Sequence, residues 1–275
     1  MFKEAALSAP YALNHVTTPY ADFAGLAALA RELGLDAVEI RNDLDGVPLA
    51  DGTPANQLRE EAQEAGVTIL SINALQRFDL WEAAREKEAV SLAAYARQAG
   101  APALVLCPVN DRGDRRDAAE RARDLRRSLR ALAPILADHG LSGLIEPLGF
   151  AECALRRKQD AVDAVDETGT EAQFALLHDS FHHALSGDEA MFPARTGLMH
   201  ISGVEEDLPF GAIRDRHRVL VGPGDRLDNV GQIRALRRGG YAGPLSFEAF
   251  SAQVHDDPEH AAALARSIEY LDASF

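Results

Sequence analysis

Four side chains able to ligate a metal each end a strand-like run in the second half of the chain. They are Glu146 in Gly143-Leu144-Ile145-Glu146, Asp179 in Ala175-Leu176-Leu177-His178-Asp179, His200 in Leu198-Met199-His200, and Glu248 in Leu245-Ser246-Phe247-Glu248. Three carboxylates and one imidazole make a donor set for a single hard or borderline divalent cation, Mg2+, Mn2+, Co2+ or Zn2+. Such a cation can take two adjacent oxygens of a polyol or hydroxy-ketone. It then polarises the carbonyl and steadies the enediolate left when a neighbouring C–H proton departs. The reaction needs a base and an acid at that carbon, and Glu146 and Glu248 could serve as both while also touching the metal. One acid at a strand end more often caps the next helix than binds a metal. Four residues sharing both position and chemistry point to the cation instead.

Elements of a definite kind must bring these residues together. Short apolar runs alternate with amphipathic helical stretches, which implies β-α-β units and a parallel sheet. The pattern predicts eight strands, near Tyr11–Val16, Asp36–Arg41, Val67–Asn73, Ala103–Cys107, Leu141–Glu146, Gln173–Asp179, Thr196–Ile201 and Pro244–Glu248. A chain of 275 residues gives about 34 per unit, enough for a strand, a helix and two loops. The expectation is an α/β protein with a single (β/α)8 TIM-barrel domain over residues 1–275. Its strand C-termini would converge on one face, and strands five to eight would carry the four ligands as neighbours.

Helix signals fill the gaps. Phe23, Leu26, Ala27, Ala30 and Leu33 repeat at three-to-four spacing before Gly34. Ala122, Leu125, Leu129, Leu132 and Leu136 form one stripe before Gly140. Thr53-Pro54 and Asp257-Pro258 each suggest a capping side chain ahead of a proline in the first turn, and Asp228 suggests a cap for a helix running towards Arg238. Residues 203–225 form a long irregular loop following the strand that ends at His200, so it should cover the same face as the ligands.

Other polar residues fall near that face. His182, three residues after Asp179, could meet a substrate hydroxyl if the loop there begins a helical turn; His183 reads as a helix-capping or solvent-facing residue. Arg218 could bind substrate oxygens, and Glu39 and His15, both at strand ends, could bind hydroxyls. For each of these four, a local hydrogen-bond or solvated role competes. Cys107 ends a strand without a nearby activating partner and reads as a small buried residue. Gly222-Pro223-Gly224 lacks the strand–loop–helix setting of a nucleotide site and reads as a turn.

Bulk properties narrow the classes. The formal net charge is −15, and the arginines of residues 112–130 are interleaved with Asp111, Asp114, Asp117, Glu120 and Asp124, so that run reads as a solvated helix face and no nucleic-acid partner is expected. Two cysteines do not make a disulfide framework. No apolar stretch is long enough for a membrane span, and Met1-Phe2-Lys3-Glu4-Ala5 does not read as a signal peptide, so a cytoplasmic protein is expected. A homo-oligomer is compatible with the sequence.

The ordered set Leu144-Ile145-Glu146-Pro147, Asp179-x-x-His182, His200, Arg218-x-x-x-Gly222-x-Gly224-Asp225 and Ser246-Phe247-Glu248 resembles the xylose isomerase-like barrel superfamily of sugar isomerases and epimerases, over essentially the whole chain. The resemblance implies one divalent metal, often Mn2+, on Glu146, Asp179, His200 and Glu248. It implies acid and base roles for the two glutamates and substrate contacts for His182 and Arg218, with Arg214 and Arg216 as competitors for the last. In the N-terminal half, Asn14-His15, Val38-Glu39-Ile40-Arg41-Asn42-Asp43-Leu44 and Phe78-Asp79-Leu80-Trp81 resemble 2-keto-myo-inositol (inosose) isomerases, which implies a cyclic keto-polyol substrate and a place in inositol catabolism. Two other outcomes use the same metal site: an inosose dehydratase-type lyase, which also expels a β-hydroxyl, and a ketose 3-epimerase. A non-catalytic carbohydrate-binding barrel is the remaining reading.

Overall fold

The structure, a computed structural model, describes residues 10–44 and 49–275. The reading of the first five residues lies outside them. Eight parallel strands close into a barrel in sequence order: β1 (Tyr11–Asn14), β2 (Ala37–Arg41), β3 (Thr68–Gln76), β4 (Ala103–Cys107), β5 (Ser142–Ile145), β6 (Phe174–Asp179), β7 (Thr196–Ile201) and β8 (Leu245–Phe247). Closure is made by β8 pairing with β1, Tyr11 opposite Leu245 and Leu13 opposite Phe247.

Around them lie α1 (Phe23–Glu32), α2 (Ala55–Ala65), α3 (Ala83–Ala99), α4 (Ala118–His139), α5 (Lys158–Thr168), α6 (Ser180–Ser186), α7 (Asn229–Arg238), α8 (Ala252–His255) and α9 (His260–Ala273). The expected barrel is therefore the observed one.

Two cores divide the apolar residues by strand parity. Outward residues such as Ile40, Leu104 and Met199 pack against the helices. Helix α4 answers with the expected stripe: Leu129, Leu132 and Leu136 are fully buried, each worth about 2 kcal/mol of transfer free energy. Asp117 and Glu120 form a reciprocal capping box at its start, and Gly140 ends it at φ +67°, where a Cβ would be strained. Inward residues Ala103, Val105, Leu144, Leu177 and Leu198 form a separate apolar plug inside the barrel.

Parity also explains the site. Two residues further along the same strands, and so on the same face, come Cys107, Glu146, Asp179 and His200. Polar groups thus form the layer directly above the plug.

Some boundaries differ from expectation. β1 stops at Asn14 because its side-chain oxygen accepts from the Val16 N–H and turns residues 15–17 into a 3-10 helix. β3 continues to Gln76, with a register shift against β4 between Ile72 and Leu75. Thr53 and Asp257 do not cap α2 and α9: Thr53 bonds to Asp51, and Asp257 accepts from the Glu259 N–H in the turn before the helix. Asp228 does cap α7, accepting from the Gly231 N–H. Among the described residues no helix is long and apolar enough to cross a membrane.

Candidate metal centre

Glu146, Asp179, His200 and Glu248 converge above the plug. One ligating atom from each lies within 4.8 Å of the others, and all four residues are buried. Glu146 and Glu248 stand one residue past their strands; Asp179 ends β6, and His200 is the penultimate residue of β7. His200 Nδ1 faces Glu248 Oε2 at 3.0 Å, Glu146 Oε1 at 3.5 Å and Asp179 Oδ2 at 3.9 Å, yet it has no well-aligned hydrogen bond. A buried ring nitrogen aimed between three carboxylates is the arrangement in which all four groups can share one cation. The donor set, three carboxylates and one imidazole, fits a single divalent ion.

Each ligand is held by different partners. Asp179 does two jobs: Oδ1 caps α6, accepting from the Phe181 and His182 N–H groups at 2.7 and 3.1 Å, while Oδ2 turns to the cluster and accepts from Arg218 at 2.7 Å. Glu248 accepts from Arg41 on Oε1 and from Arg218 on Oε2, both at 2.8 Å. Burial opposes the charge on Glu248, but His200 and the two guanidiniums hold its pKa well below the usual carboxylate range. Among the described residues Glu146 has no guanidinium at hydrogen-bond distance, and its Oε2 accepts only from the Cys107 thiol, at 3.3 Å. Burial and then Glu146 push that thiol well above its ordinary pKa, so Cys107 is a neutral donor and not a nucleophile. Burial likewise disfavours charge on His200, yet Glu248 and Glu39, on opposite sides of the ring, hold its pKa well above normal. A dication among the carboxylates would supply that positive charge instead.

Arg218 reaches the site because the long loop folds back on itself. Gly203 and Val219 pair in both directions, at 2.7 and 2.9 Å, and the Arg218 carbonyl accepts from the Phe250 and Ser251 N–H groups. Its guanidinium lies between the Phe181 and Phe250 rings, 4.7 and 4.8 Å from their centroids, and donates to Ser202. Of the three competing arginines only Arg218 is buried. Arg216 is exposed, and Arg214 donates to the Gly211 and Ile213 carbonyls.

His182 is buried against the Phe150 and Phe181 rings, its Nδ1 without a partner. Burial lowers its pKa, which favours the neutral ring. Gly149 allows this packing: a Cβ there would come 2.3 Å from the His182 carbonyl oxygen.

The structure places two other candidates away from the mouth. His15 bonds the Ala21 carbonyl at 2.9 Å and touches no member of the cluster by hydrogen bond. Glu39 is fully buried behind His200, its carboxylate 3.0 and 3.2 Å from Nε2. Asn14, Ser71, Asn73 and Ser246 donate to its remaining lone pairs. Burial opposes its charge, but His200 and the Ser246 and Ser71 hydroxyls bring its pKa down to about 2.

Arg41 and Cys107 were not singled out as functional by the sequence. The inward parity of Glu39-x-Arg41 is the signal that could have found Arg41. For Cys107 the partner is 39 residues away, and only the barrel register shows it.

The family model described as xylose isomerase-like TIM barrel matches residues 27–273. Among solved structures, a xylose isomerase domain containing protein from Salmonella typhimurium LT2 superposes with a TM-score of 0.89 at 30% identity, covering 96% of this chain and 97% of its own. The IolI protein with a bound zinc atom gives 0.84 at 21% identity, covering 97% and 99%. D-psicose 3-epimerase with D-tagatose, from Clostridium cellulolyticum H10, gives 0.77 at 16%, covering 96% and 99%. The two more distant likenesses speak for the fold alone. No curated protein matches the chain. The barrel and the family match over most of its length make this chain a member of the xylose isomerase-like TIM-barrel family.

Proposed function

We propose that this protein is a divalent-metal-dependent isomerase of keto-polyols, moving a proton next to a carbonyl through an enediolate. The observation that carries the reading is the convergence of Glu146, Asp179, His200 and Glu248 on one point above the barrel plug. Those four side chains would hold the cation, Mn2+ on the family resemblance and Zn2+, Mg2+ or Co2+ on donor chemistry, which when bound would supply Lewis-acid polarisation of the substrate carbonyl.

The protein residues do the rest. Glu146, whose Oε2 meets only a weak thiol donor, is free to take the proton from carbon. Glu248, held as a carboxylate by two guanidiniums, flanks the reacting carbon on the opposite side, and the proton that Glu146 takes is the one it hands back to the neighbouring carbon. Arg218 and the neutral His182 bind substrate oxygens, and the Phe181 and Phe250 rings flanking Arg218 keep water from it.

The N-terminal resemblance to inosose isomerases names 2-keto-myo-inositol as the first substrate to try. A cytoplasmic location accords with that metabolism. The likeness to a D-psicose 3-epimerase keeps one second reading, epimerisation of a ketohexose on the same site.

The test is a panel of inososes and ketohexoses incubated in D2O with Mn2+-loaded protein and read by NMR. Deuterium should enter one carbon beside the carbonyl with product mass otherwise unchanged. Glu146→Gln, with metal content confirmed, should slow this at least a hundredfold. Loss of water would make the protein a lyase, and absence of exchange with every member of the panel would remove the isomerase reading.

A further inference from the structure

The carboxylate of Glu39 has no access to a substrate, yet it sits against the one imidazole of the cluster. We propose that Glu39 is a positioning residue for the metal site: it fixes the His200 ring so that Nδ1 faces the cation and supplies the last negative charge the site needs to match a dication. The proposal rests on the metal-dependent reading above.

Two observations carry it. The first is orientation. Glu39 Oε1 and Oε2 lie 3.0 and 3.2 Å from His200 Nε2, while Nδ1 points among the other carboxylates without a partner of its own. With its proton on Nε2, the ring donates to Glu39 and presents the Nδ1 lone pair to the cluster. A ligating histidine is commonly tied by its second nitrogen in this way. Glu39 is itself immobilised by donors from three other strands: Asn14 on β1, Ser71 and Asn73 on β3, and Ser246 on β8. None of these donors carries charge, so they orient the carboxylate without neutralising it.

The second is charge. Glu39, Glu146, Asp179 and Glu248 are buried carboxylates at the site, and Arg41 and Arg218 are the guanidiniums bonded to them. Asp43, the other partner of Arg41, has a side chain 27% exposed and is solvated at the rim. Four negative charges against two positive ones, with His200 neutral, leave two to be met, and one divalent cation meets them. Without Glu39 the same cation would leave a net positive charge in a low-dielectric interior, which weakens its binding.

Zn2+ affinity measured by competition with a chromophoric chelator tests this without any substrate. Glu39→Gln keeps the size and an acceptor for Nε2–H but removes the charge, and should weaken Zn2+ by roughly 10–100-fold. Glu39→Ala removes both and should weaken it further. The 15N spectrum of the Zn2+-loaded wild type should report His200 protonated on Nε2 and liganded through Nδ1, and Glu39→Ala should lose that single tautomer.

Should the Glu39 variants fail to fold, Ser246→Ala, which removes one donor to Glu39, should lower Zn2+ affinity in the same direction by a smaller factor. Zn2+ binding by wild type with affinity unchanged in Glu39→Gln, or in Ser246→Ala where only that variant folds, overturns the positioning role and leaves the proposed function standing. So does ligation of His200 through Nε2. A wild type that binds no Zn2+, Mn2+ or Co2+ overturns both.

Discussion

Glu248 has four side-chain partners, two of them guanidiniums: Arg41 and Asn14 on Oε1, Arg218 and the His200 ring on Oε2. Glu146 sits among far fewer. This asymmetry is a statement about single residues, and it can be tested on one. Arg41 holds Asp43 with Nε and Nη2 and reaches Glu248 and Asn14 with Nη1. Arg41→Met strands the buried charge of Glu248 on that side, which should cost about 3 kcal/mol in metal-free protein. It also leaves the site one negative charge richer, so Mn2+ should raise the melting temperature of Arg41→Met by more than it raises that of wild type. Glu39→Gln should respond in the opposite sense. Scanning fluorimetry with and without Mn2+ reads both, and equal metal-induced shifts in the two variants would contradict the charge count.

At the scale of elements, the strand ends were legible because inward parity on a parallel strand is a sequence property. Leu144 to Glu146, Leu177 to Asp179 and Leu198 to His200 each step from plug to ligand in two residues. Helices announced themselves by stripe and stop, as α4 did. The contacts joining distant strands were not legible. Glu39 lies 161 residues from His200 and Arg41 lies 207 from Glu248, and no local spacing encodes such pairs. His15 lies away from the cluster for a related reason: the Asn14 cap ends the strand two residues before the expected Val16, and the ring bonds the Ala21 carbonyl. His183 also departs from its solvent-facing reading. It pairs with Lys158 of α5, Nζ to Nδ1 at 2.6 Å, and Lys158 is 4% exposed. Burial lowers the Lys158 pKa to about 8, against the pull of Asp188 and Asp179. The folded state thus disfavours its charge relative to the unfolded chain. The cost is full below about pH 8, shrinks as pH rises to the ordinary lysine value near 10.5, and amounts to about 3 kcal/mol. Lys158→Met should therefore be more stable than wild type in urea at pH 7, and the gap should close by pH 10.5. A gap that is constant with pH would show that Lys158 is not strained by burial.

For the whole molecule, the site lies on the seam between two halves of one closed sheet. β5 to β8 carry the four candidate ligands, while β1 and β2 supply Asn14, Arg41 and Glu39 behind them, and Ser71 and Asn73 of β3 hold Glu39 in turn. A cation bound there ties four adjacent staves to one point, so binding should stabilise the barrel as a unit. By linkage, free metal at 100 times its dissociation constant adds about 2.7 kcal/mol. The central claim is that this cluster holds one divalent ion per chain, and equilibrium dialysis against Mn2+ or Zn2+ followed by elemental analysis tests it most directly. Wild type should retain one equivalent, and His200→Ala should retain almost none at the same free concentration. Retention of no metal by the wild type, or of a full equivalent by His200→Ala, would contradict the account.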